Sequence, residues 1–398
     1  MGFTERGKYS AYLIIFRRLL QVLPLGSALL KMRHSFLLYV YTMRQSRACL
    51  LFALLSALLI SMPVSAQRRK PVPFDSSYYQ TYPKLITGRV FFSQKYTSLR
   101  LRNTDNNRML HYQPNNPLNA GVGVTYGILT LNVGVPLRFV DPDNKDKGKT
   151  RSLDLQSHIY ARKWVGDIFG QFYKGYYLRP KGKAAAPDEA YYTRPDLKVQ
   201  MIGGALYRLF NSREFSYRAA FLQNEWQKKS AGSFLLGGEV YYGTIRGDSA
   251  LVPSEYADVF PQQDMRRARF WEVGPGAGYA YTWVIKKHFF LTGSATVNGD
   301  LSFIKEFEDD NTSRTRVTFS PNLIFRAVAG YNSDTWTANI SWFGNRVSVG
   351  SATDDYRYIV STGNYRLTVA KRFNPKGILR KRLRNAEEKL PIISTEGK

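Results

Sequence analysis

Residues able to bind anions or transfer protons occupy every second position of one stretch of the chain. They are Asp154, Gln156, His158, Tyr160 and Arg162. Alternate residues of a β-strand point to the same face, so this spacing predicts a carboxylate, an imidazole and a guanidinium side by side. Such a group could bind an anion or shuttle protons, since histidine titrates near neutral pH. The alternative is that these are ordinary inward-facing polar residues of a barrel, which pair with one another to satisfy their burial.

The remaining candidate residues do not predict an enzyme. We expect His111 in a loop and His288 at a turn, and Ser157 points to the opposite face of its strand from His158. The sequence therefore indicates no nucleophilic triad, and it contains no His-Glu-x-x-His zinc motif. The acidic run 141–146 lacks the glycine and the distal glutamate of a calcium-binding EF-hand loop. We accordingly predict no catalytic residue, no metal and no cofactor.

The element that organises the chain is a β-hairpin over Ala120–Phe139, with a tight turn at Gly127. From Leu129 to Phe139 apolar residues alternate with small or polar ones, which places Arg138 on the polar face. Further candidate strands, most of them alternating and Asp167–Leu178 with a less clear phase, are predicted over the following ranges: Leu85–Arg102, Arg151–Trp164, Asp167–Leu178, Leu197–Phe210, Phe215–Asn224, Ser233–Ile245, Phe270–Ile285, Phe289–Phe303, Val317–Tyr331, Trp336–Val349 and Tyr356–Phe373. Because tyrosine and phenylalanine are also abundant, we predict an all-β, antiparallel, up-and-down transmembrane barrel of about 12–14 strands over residues 85–373.

The predicted number of strands is odd, which does not fit a closed bacterial barrel. There are 13 candidate strands, whereas single-chain bacterial barrels use an even number. The non-alternating segment Arg246–Arg267 offers two explanations. Either it hides one more crossing, or it folds back through the lumen as a plug.

The ends of the chain indicate export. Residues 1–42 are interpreted as an upstream extension from a misplaced start codon, and the positive start, apolar run and small residues of 43–66 predict a cleavable signal peptide beginning at Met43. The only cysteine, Cys49, lies within it, so we expect no thiol in the mature chain. Residues 67–84 are predicted to be a periplasmic lead-in, and 374–398 a basic tail that is either a short helix or disordered.

The formal net charge of +27 raises the possibility of nucleic-acid binding. No basic run is interleaved with exposed aromatics, so we expect outer-membrane lipid and lipopolysaccharide as the partners of this charge instead. Five arginines are predicted to point into the lumen: Arg138, Arg162, Arg326, Arg366 and Arg372. An open lumen would then favour anionic solutes. In a packed lumen, the arginines would pair with Asp154, Glu272 and Asp300.

Two long segments resemble a known family. FSYRAAFLQNEWQKKSAGSFLLGGEVYYG at Phe215–Gly243 and NPLNAGVGVTYGILTLNVGVP at Asn116–Pro136 are similar to the domain of unknown function 4421. Tyr160–Leu178 and Gly274–Thr292 resemble it as well, so the resemblance covers roughly Phe74 to Phe373. It implies a predicted outer-membrane barrel of Gram-negative bacteria, mostly Bacteroidota. It implies no reaction, ligand or catalytic residue.

These patterns favour a monomeric protein of the bacterial outer membrane with a structural, binding or passage role. Its last strand ends on Phe373, as the strands recognised by the barrel-assembly machinery do. One alternative is a membrane-embedded hydrolase or transferase acting on lipid or envelope glycan. The other is a selective pore for anionic solutes.

Overall fold

The computed structural model describes residues 73–126, 129–260, 263–308, 312–352, 355–378 and 380–383. The upstream extension, the signal peptide with Cys49, the turn at Gly127 and residues 384–398 lie outside them. One antiparallel sheet contains 13 strands, and a second sheet contains two. The strands are β1 Tyr79–Thr81, β2 Ile86–Asn103, β3 Met109–Gln113, β4 Asn119–Tyr126, β5 Leu129–Pro136, β6 Arg151–Tyr160, β7 Trp164–Arg179, β8 Thr193–Leu209, β9 Glu225–Gln227, β10 Ala231–Arg246, β11 Met265–Ile285, β12 Phe289–Glu308, β13 Ser313–Asn332, β14 Trp336–Gly350 and β15 Tyr356–Phe373.

Ten strands close into a ring, which confirms the predicted antiparallel barrel. From β10 to β15 each strand pairs with the next in sequence, and β15 pairs with β2 along its whole length. Apolar side chains on the outer face remain exposed, as in Phe319 (64%) and Ile340 (63%). Inward residues of the same strands are polar and buried, which is the alternation expected of a barrel with a lipid-facing surface.

Four strands between β2 and β7 form an irregular part of the wall, which we call the wedge (β3 to β6). The short β3 pairs with β2 on one side and with β7 on the other, and it completes the ring of ten. Beneath β3, the hairpin of β4 and β5 extends from β2, and β6 extends from β7. Among the described residues no ladder joins β5 to β6. We call this gap the seam.

A bulge in β7 holds the connection above the seam. Gly175 has φ +92°, and a Cβ atom there would lie 2.2 Å from the Lys149 carbonyl oxygen. Only glycine combines this left-handed backbone with so close an approach. The Thr150 hydroxyl donates to the Gly175 carbonyl (2.7 Å), and the Asn115 amide donates to that of Gly148 (2.7 Å).

Apart from the segment 210–230 between β8 and β10, the described connections of one end of the barrel are short. Residues 161–163, 286–288 and 333–335 form short links at one end, which we call the turn end. Residues 180–192 and 247–264 form long links at the opposite, loop end. Outer-membrane barrels carry short turns on the periplasmic side, which predicts that the turn end is the periplasmic end.

The predicted strand Phe215–Asn224 is wrong. This segment contains a short helix, α1 (Tyr217–Phe221), whose residues are all buried, and β8 pairs directly with β10. Ser216 caps the helix by accepting a hydrogen bond from the backbone N–H of Ala219 (3.1 Å). Residues 211–230, which we call the plug, therefore fold into the turn end of the lumen. The predicted loop after Arg102 conversely contains β3, so His111 lies on a strand.

The segment Arg246–Arg267 adds no crossing, because β10 and β11 pair with each other. Residues 247–260, which we call the cap, instead fold inward at the loop end, as the second predicted explanation requires. Leu251, Val252 and Phe260 are buried in an apolar cluster of the upper lumen. Tyr112 donates to the Leu251 carbonyl (2.8 Å) and thereby fixes the cap to β3.

Among the described residues, no helix has both the length and the apolar character needed to cross a bilayer as a helix.

Candidate functional site

The candidate site begins with a histidine and a carboxylate on adjacent strands. The tight connection between β6 and β7 places His158 directly opposite Asp167. Both point into the lumen, and the His158 Nδ1 atom lies 2.6 Å from the Asp167 Oδ1 atom. The Asp167 side chain is buried, whereas 44% of the His158 side chain is exposed. The imidazole is therefore the accessible member of the pair.

Arg326 joins this pair from the far side of the lumen. It lies on β13, and its guanidinium forms a buried ion pair with Asp167 and donates to the Tyr217 hydroxyl (2.7 Å). Tyr217 belongs to α1, and burial raises the pKa of its phenol, so that it stays protonated. Tyr160 also donates to Asp167 (3.4 Å). The network connects the barrel wall to the plug, and it satisfies the buried charges.

This arrangement lacks the parts of a hydrolase. Within the described part of the chain, no serine or threonine hydroxyl lies within hydrogen-bond distance of the His158 imidazole. The Asp167 carboxylate is already held by Arg326, so it is not free to act as a base. No group of three metal-ligating side chains is found among the described residues either. The network is suited to binding and positioning.

The other residues of the predicted lumen group separate into different places. Asp154 faces the lumen, where it pairs with Lys95 (3.2 Å) and accepts from Tyr173 (2.7 Å). Gln156 is exposed on the same face of β6. Arg162 lies deeper, where it pairs with Glu225 of the plug (3.5 Å) and stacks over Phe74.

Arg138 does not point into the lumen, so this prediction is wrong. The strand ends at Pro136, and Arg138 is exposed in a short 3₁₀ turn over Arg138–Val140. Proline cannot donate a ladder hydrogen bond, which explains why the alternation of the sequence continues beyond the strand.

Three further arginines, which we call the arginine group, lie near the turn end: Arg89, Arg366 and Arg372. Arg89 interacts electrostatically with each of the other two. Arg89 donates to the carbonyl of Leu222 in the plug (3.2 Å), and Arg372 to that of Gln223 (2.6 Å). Arg366 reaches the seam, where it donates to the Asn132 side chain of β5 (3.1 Å). Among the described residues none of the three has a carboxylate within ion-pair distance.

The predicted pairing of arginines with Glu272 and Asp300 is also wrong. Both carboxylates are buried in the middle of the lumen. Glu272 accepts from Ser302, and Asp300 accepts from Asn322 (2.6 Å). The arginines lie nearer the turn end instead, so positive charge collects beside the seam and negative charge collects at mid-height.

Sequence reasoning missed Asp167, Tyr217 and Arg89. The short connection after Tyr160 was a usable signal for Asp167, because a tight hairpin sets residue 167 opposite residue 158. Arg89 alternates with the outward Val90 and Phe92, which was a second usable signal. No sequence feature indicates that Tyr217 lies in the lumen, because the pattern of its segment predicts a strand.

The sequence model of a family described as Domain of unknown function (DUF4421) matches residues 73–373. No curated protein matches the chain. Among solved structures, the Pseudomonas putida toluene transporter TodX is 8% identical with a TM-score of 0.24, covering 74% of this chain and 92% of its own. The beta domain of the Bordetella autotransporter BrkA is 10% identical with a TM-score of 0.31, covering 74% and 100%. The outer membrane protein OprG of Pseudomonas aeruginosa is 10% identical with a TM-score of 0.21, covering 74% and 98%.

Proposed function

The chain belongs to the family described as Domain of unknown function (DUF4421), and we propose that this outer-membrane barrel binds an anionic amphiphile through the seam. The polar head enters the lumen between β5 and β6, and the hydrocarbon tail stays in the bilayer. The observation that carries the proposal is the missing ladder between these two strands.

The missing ladder is unusual because unpaired backbone groups in a bilayer cost several kcal/mol each. The inward residues of β5 are correspondingly accessible: Asn132, Gly134 and Pro136 are all exposed. Inward residues of the closed wall differ sharply, since Thr296 is 1% and Asn298 is 0% exposed. Space behind the seam is thus open to a polar group.

Passage along the barrel axis is disfavoured. The cap and its apolar cluster fill the lumen at the loop end, and the plug fills it at the turn end. A ligand that reaches His158 or Arg366 therefore has its shortest route from the side. This argues against the pore for anionic solutes.

The charge at the seam selects an anionic head. Arg366 is the accessible member of the arginine group, and it already binds the edge strand at Asn132. Arg89 and Arg372 stand behind it, and among the described residues their hydrogen-bond acceptors are carbonyl, hydroxyl and amide oxygens rather than carboxylates. A carboxylate or phosphate would supply the missing counter-charge, and charge-assisted hydrogen bonds are among the strong ones.

Photochemical labelling tests the proposal. The purified full-length protein in phosphatidylcholine vesicles is exposed to a palmitic acid that carries a diazirine, or to its methyl ester, and adducts are located by mass spectrometry. We expect the acid to label Asn119–Pro136 and Arg151–Tyr160, and the uncharged ester to label them at least about tenfold less. An Arg366→Gln variant should lose about tenfold in affinity, since a hydrogen bond to a charged group contributes about 1.5–3 kcal/mol.

The matched control is Arg108→Gln, which removes an exposed arginine of the loop end and should leave labelling unchanged. Adducts spread evenly over all strands, or equal labelling by acid and ester, would refute the proposal. Planar-bilayer recordings provide an independent check. We expect no sustained conductance, and stable channel steps would favour the pore instead.

A further inference from the structure

A second charged site lies on the outer surface of the barrel, near the loop end. A groove of about 590 Å³ runs from the outer faces of β2, β14 and β15 to the segments that contain Asn116 and Asp141, and Lys95 also lines it. Arg100 of β2 and Arg346 of β14 line it on either side of Ser361 of β15. Arg100 donates to the Ser361 hydroxyl (3.3 Å).

The sheet register places these arginines above an aromatic layer and an apolar layer. Ile340, Leu367 and Phe92 are neighbours on one rung, and all three are exposed on the outer face. Towards the loop end the next outward positions hold Trp342 and Tyr365, whose rings stack at 5.6 Å. Apolar, then aromatic, then charged side chains are the order expected on the surface of a barrel from the bilayer core to the headgroups.

Tyr96 completes the aromatic layer and faces the arginines. Its hydroxyl accepts a hydrogen bond from the Trp342 indole N–H (3.2 Å), and its ring lies 5.6 Å from that of Tyr365. The three rings therefore form a fixed platform at the depth where amphipathic side chains meet lipid headgroups.

The positive charge of the groove is uncompensated. Arg100 and Arg346 interact electrostatically with each other, and within the described part of the chain neither has a carboxylate at ion-pair distance. The two acidic side chains of the groove are already engaged. Asp141 pairs with Lys147 (2.7 Å), and Asp143 accepts from Tyr191 (3.3 Å).

We propose that Arg100 and Arg346 bind the phosphate of a lipid in the outer leaflet, whose acyl chains lie along Phe92, Ile340 and Leu367. Two adjacent guanidiniums suit phosphate, because each presents several N–H donors in a planar fork. The assignment of the loop end to the outer face follows from the short turns at the opposite end. The two arginines occupy outward positions of β2 and β14, and this proposal does not depend on the function proposed at the seam.

Native mass spectrometry of the full-length protein in detergent tests this proposal. The probes are lipid A, lipid A stripped of its phosphates, and inorganic phosphate. We expect bound lipid A, at least tenfold weaker binding of the dephosphorylated form, and at least tenfold weaker lipid A binding by the Arg100→Gln/Arg346→Gln variant. An Arg100→Lys/Arg346→Lys variant keeps the charge and should retain part of the affinity.

The control Arg208→Gln removes an outward arginine near the turn end, and it should bind lipid A as the parent protein does. Equal binding of both lipid A forms would overturn the proposal. So would lipid A binding that inorganic phosphate abolishes at low millimolar concentration, because the site would then recognise a free anion. An unchanged far-ultraviolet circular dichroism spectrum shows that a variant has folded.

Discussion

The closed wall of β10–β13 and the wedge of β3–β6 differ in how completely their backbone hydrogen-bonding groups are paired within the sheet. In the wall, β12 and β13 pair over 19 consecutive residues, so their backbone groups are satisfied inside the sheet. In the wedge, β3 pairs over four residues with β2 and three with β7, and β5 has a partner on one side only. Unpaired strand edges in a bilayer cost free energy, so the wedge is the part of the wall whose backbone groups are satisfied least within the sheet.

The side chains that face the lumen also differ between the wall and the wedge. The wall presents a buried network in which Arg326 of β13 reaches across the lumen to Asp167 of β7 and to Tyr217 of the plug. The wedge presents side chains that are accessible, such as His158 and Gln156 of β6. Substitutions should therefore cost stability in the wall and little in the wedge.

The largest effect is expected from Arg326→Met. It leaves the Asp167 carboxylate buried with its main counter-charge removed, which typically costs about 3–5 kcal/mol. Urea unfolding in detergent micelles measures the free energy of unfolding. The double variant Arg326→Met/Asp167→Leu removes both charges and should recover most of the loss. A double variant as unstable as the single one would show that packing, rather than the unpaired charge, explains the cost.

A smaller effect is expected from an added methyl group in the closed wall. In Gly237→Ala of β10 the new Cβ atom would lie 1.9 Å from the Leu206 carbonyl oxygen and 2.7 Å from the Tyr207 Cα atom. Overpacking of this kind costs about 1–3 kcal/mol.

The matched change in the wedge is Gly134→Ala of β5. Its nearest contact would be the Ala120 carbonyl oxygen at 3.3 Å, so we expect a loss within about 0.5 kcal/mol. The melting temperature in detergent compares the two variants. If Gly134→Ala lowered the melting temperature more than Gly237→Ala, the seam would be the more tightly packed region, and the proposed difference between wall and wedge would be wrong.

The smallest effect is expected from Lys95→Met of β2, whose side chain reaches β6 beside the seam. The variant removes the ion pair with Asp154, whose carboxylate keeps the Tyr173 hydroxyl as a donor. A partly exposed ion pair contributes up to about 1 kcal/mol to the free energy of unfolding. Urea unfolding against the Arg326→Met variant checks the ranking. A loss of several kcal/mol would mean that this pair locks β6 in place.

Much of the wall could be predicted from the sequence, because period-two alternation is a local signal. It placed the strands from β10 to β15 and set His158, Tyr160 and Asp154 on the inward face. The same signal gave a wrong strand at Phe215–Asn224, because this lumen-packed segment is rich in the aromatic and apolar residues that are also common in strands. It also missed β3, whose five residues are too few for a visible period.

The partners inside the lumen could not be predicted. Arg326 meets Asp167 across the barrel, and no local pattern encodes which of several inward arginines reaches a given carboxylate. The seam is likewise invisible to alternation, since β5 and β6 each look like a normal strand. Their failure to pair depends on β3 and on the loop tied down at Gly175.

The sheet of β1 and β9 joins the residues ahead of the barrel to the plug. Thr81 lies opposite Glu225, and Tyr79 also donates to the carbonyl of Ser212 (2.9 Å). The segment ahead of the barrel is therefore held by the plug rather than by the strands of the ring. A change that breaks the pairing of β1 with β9 would remove one support of the plug and leave every ladder of the barrel intact.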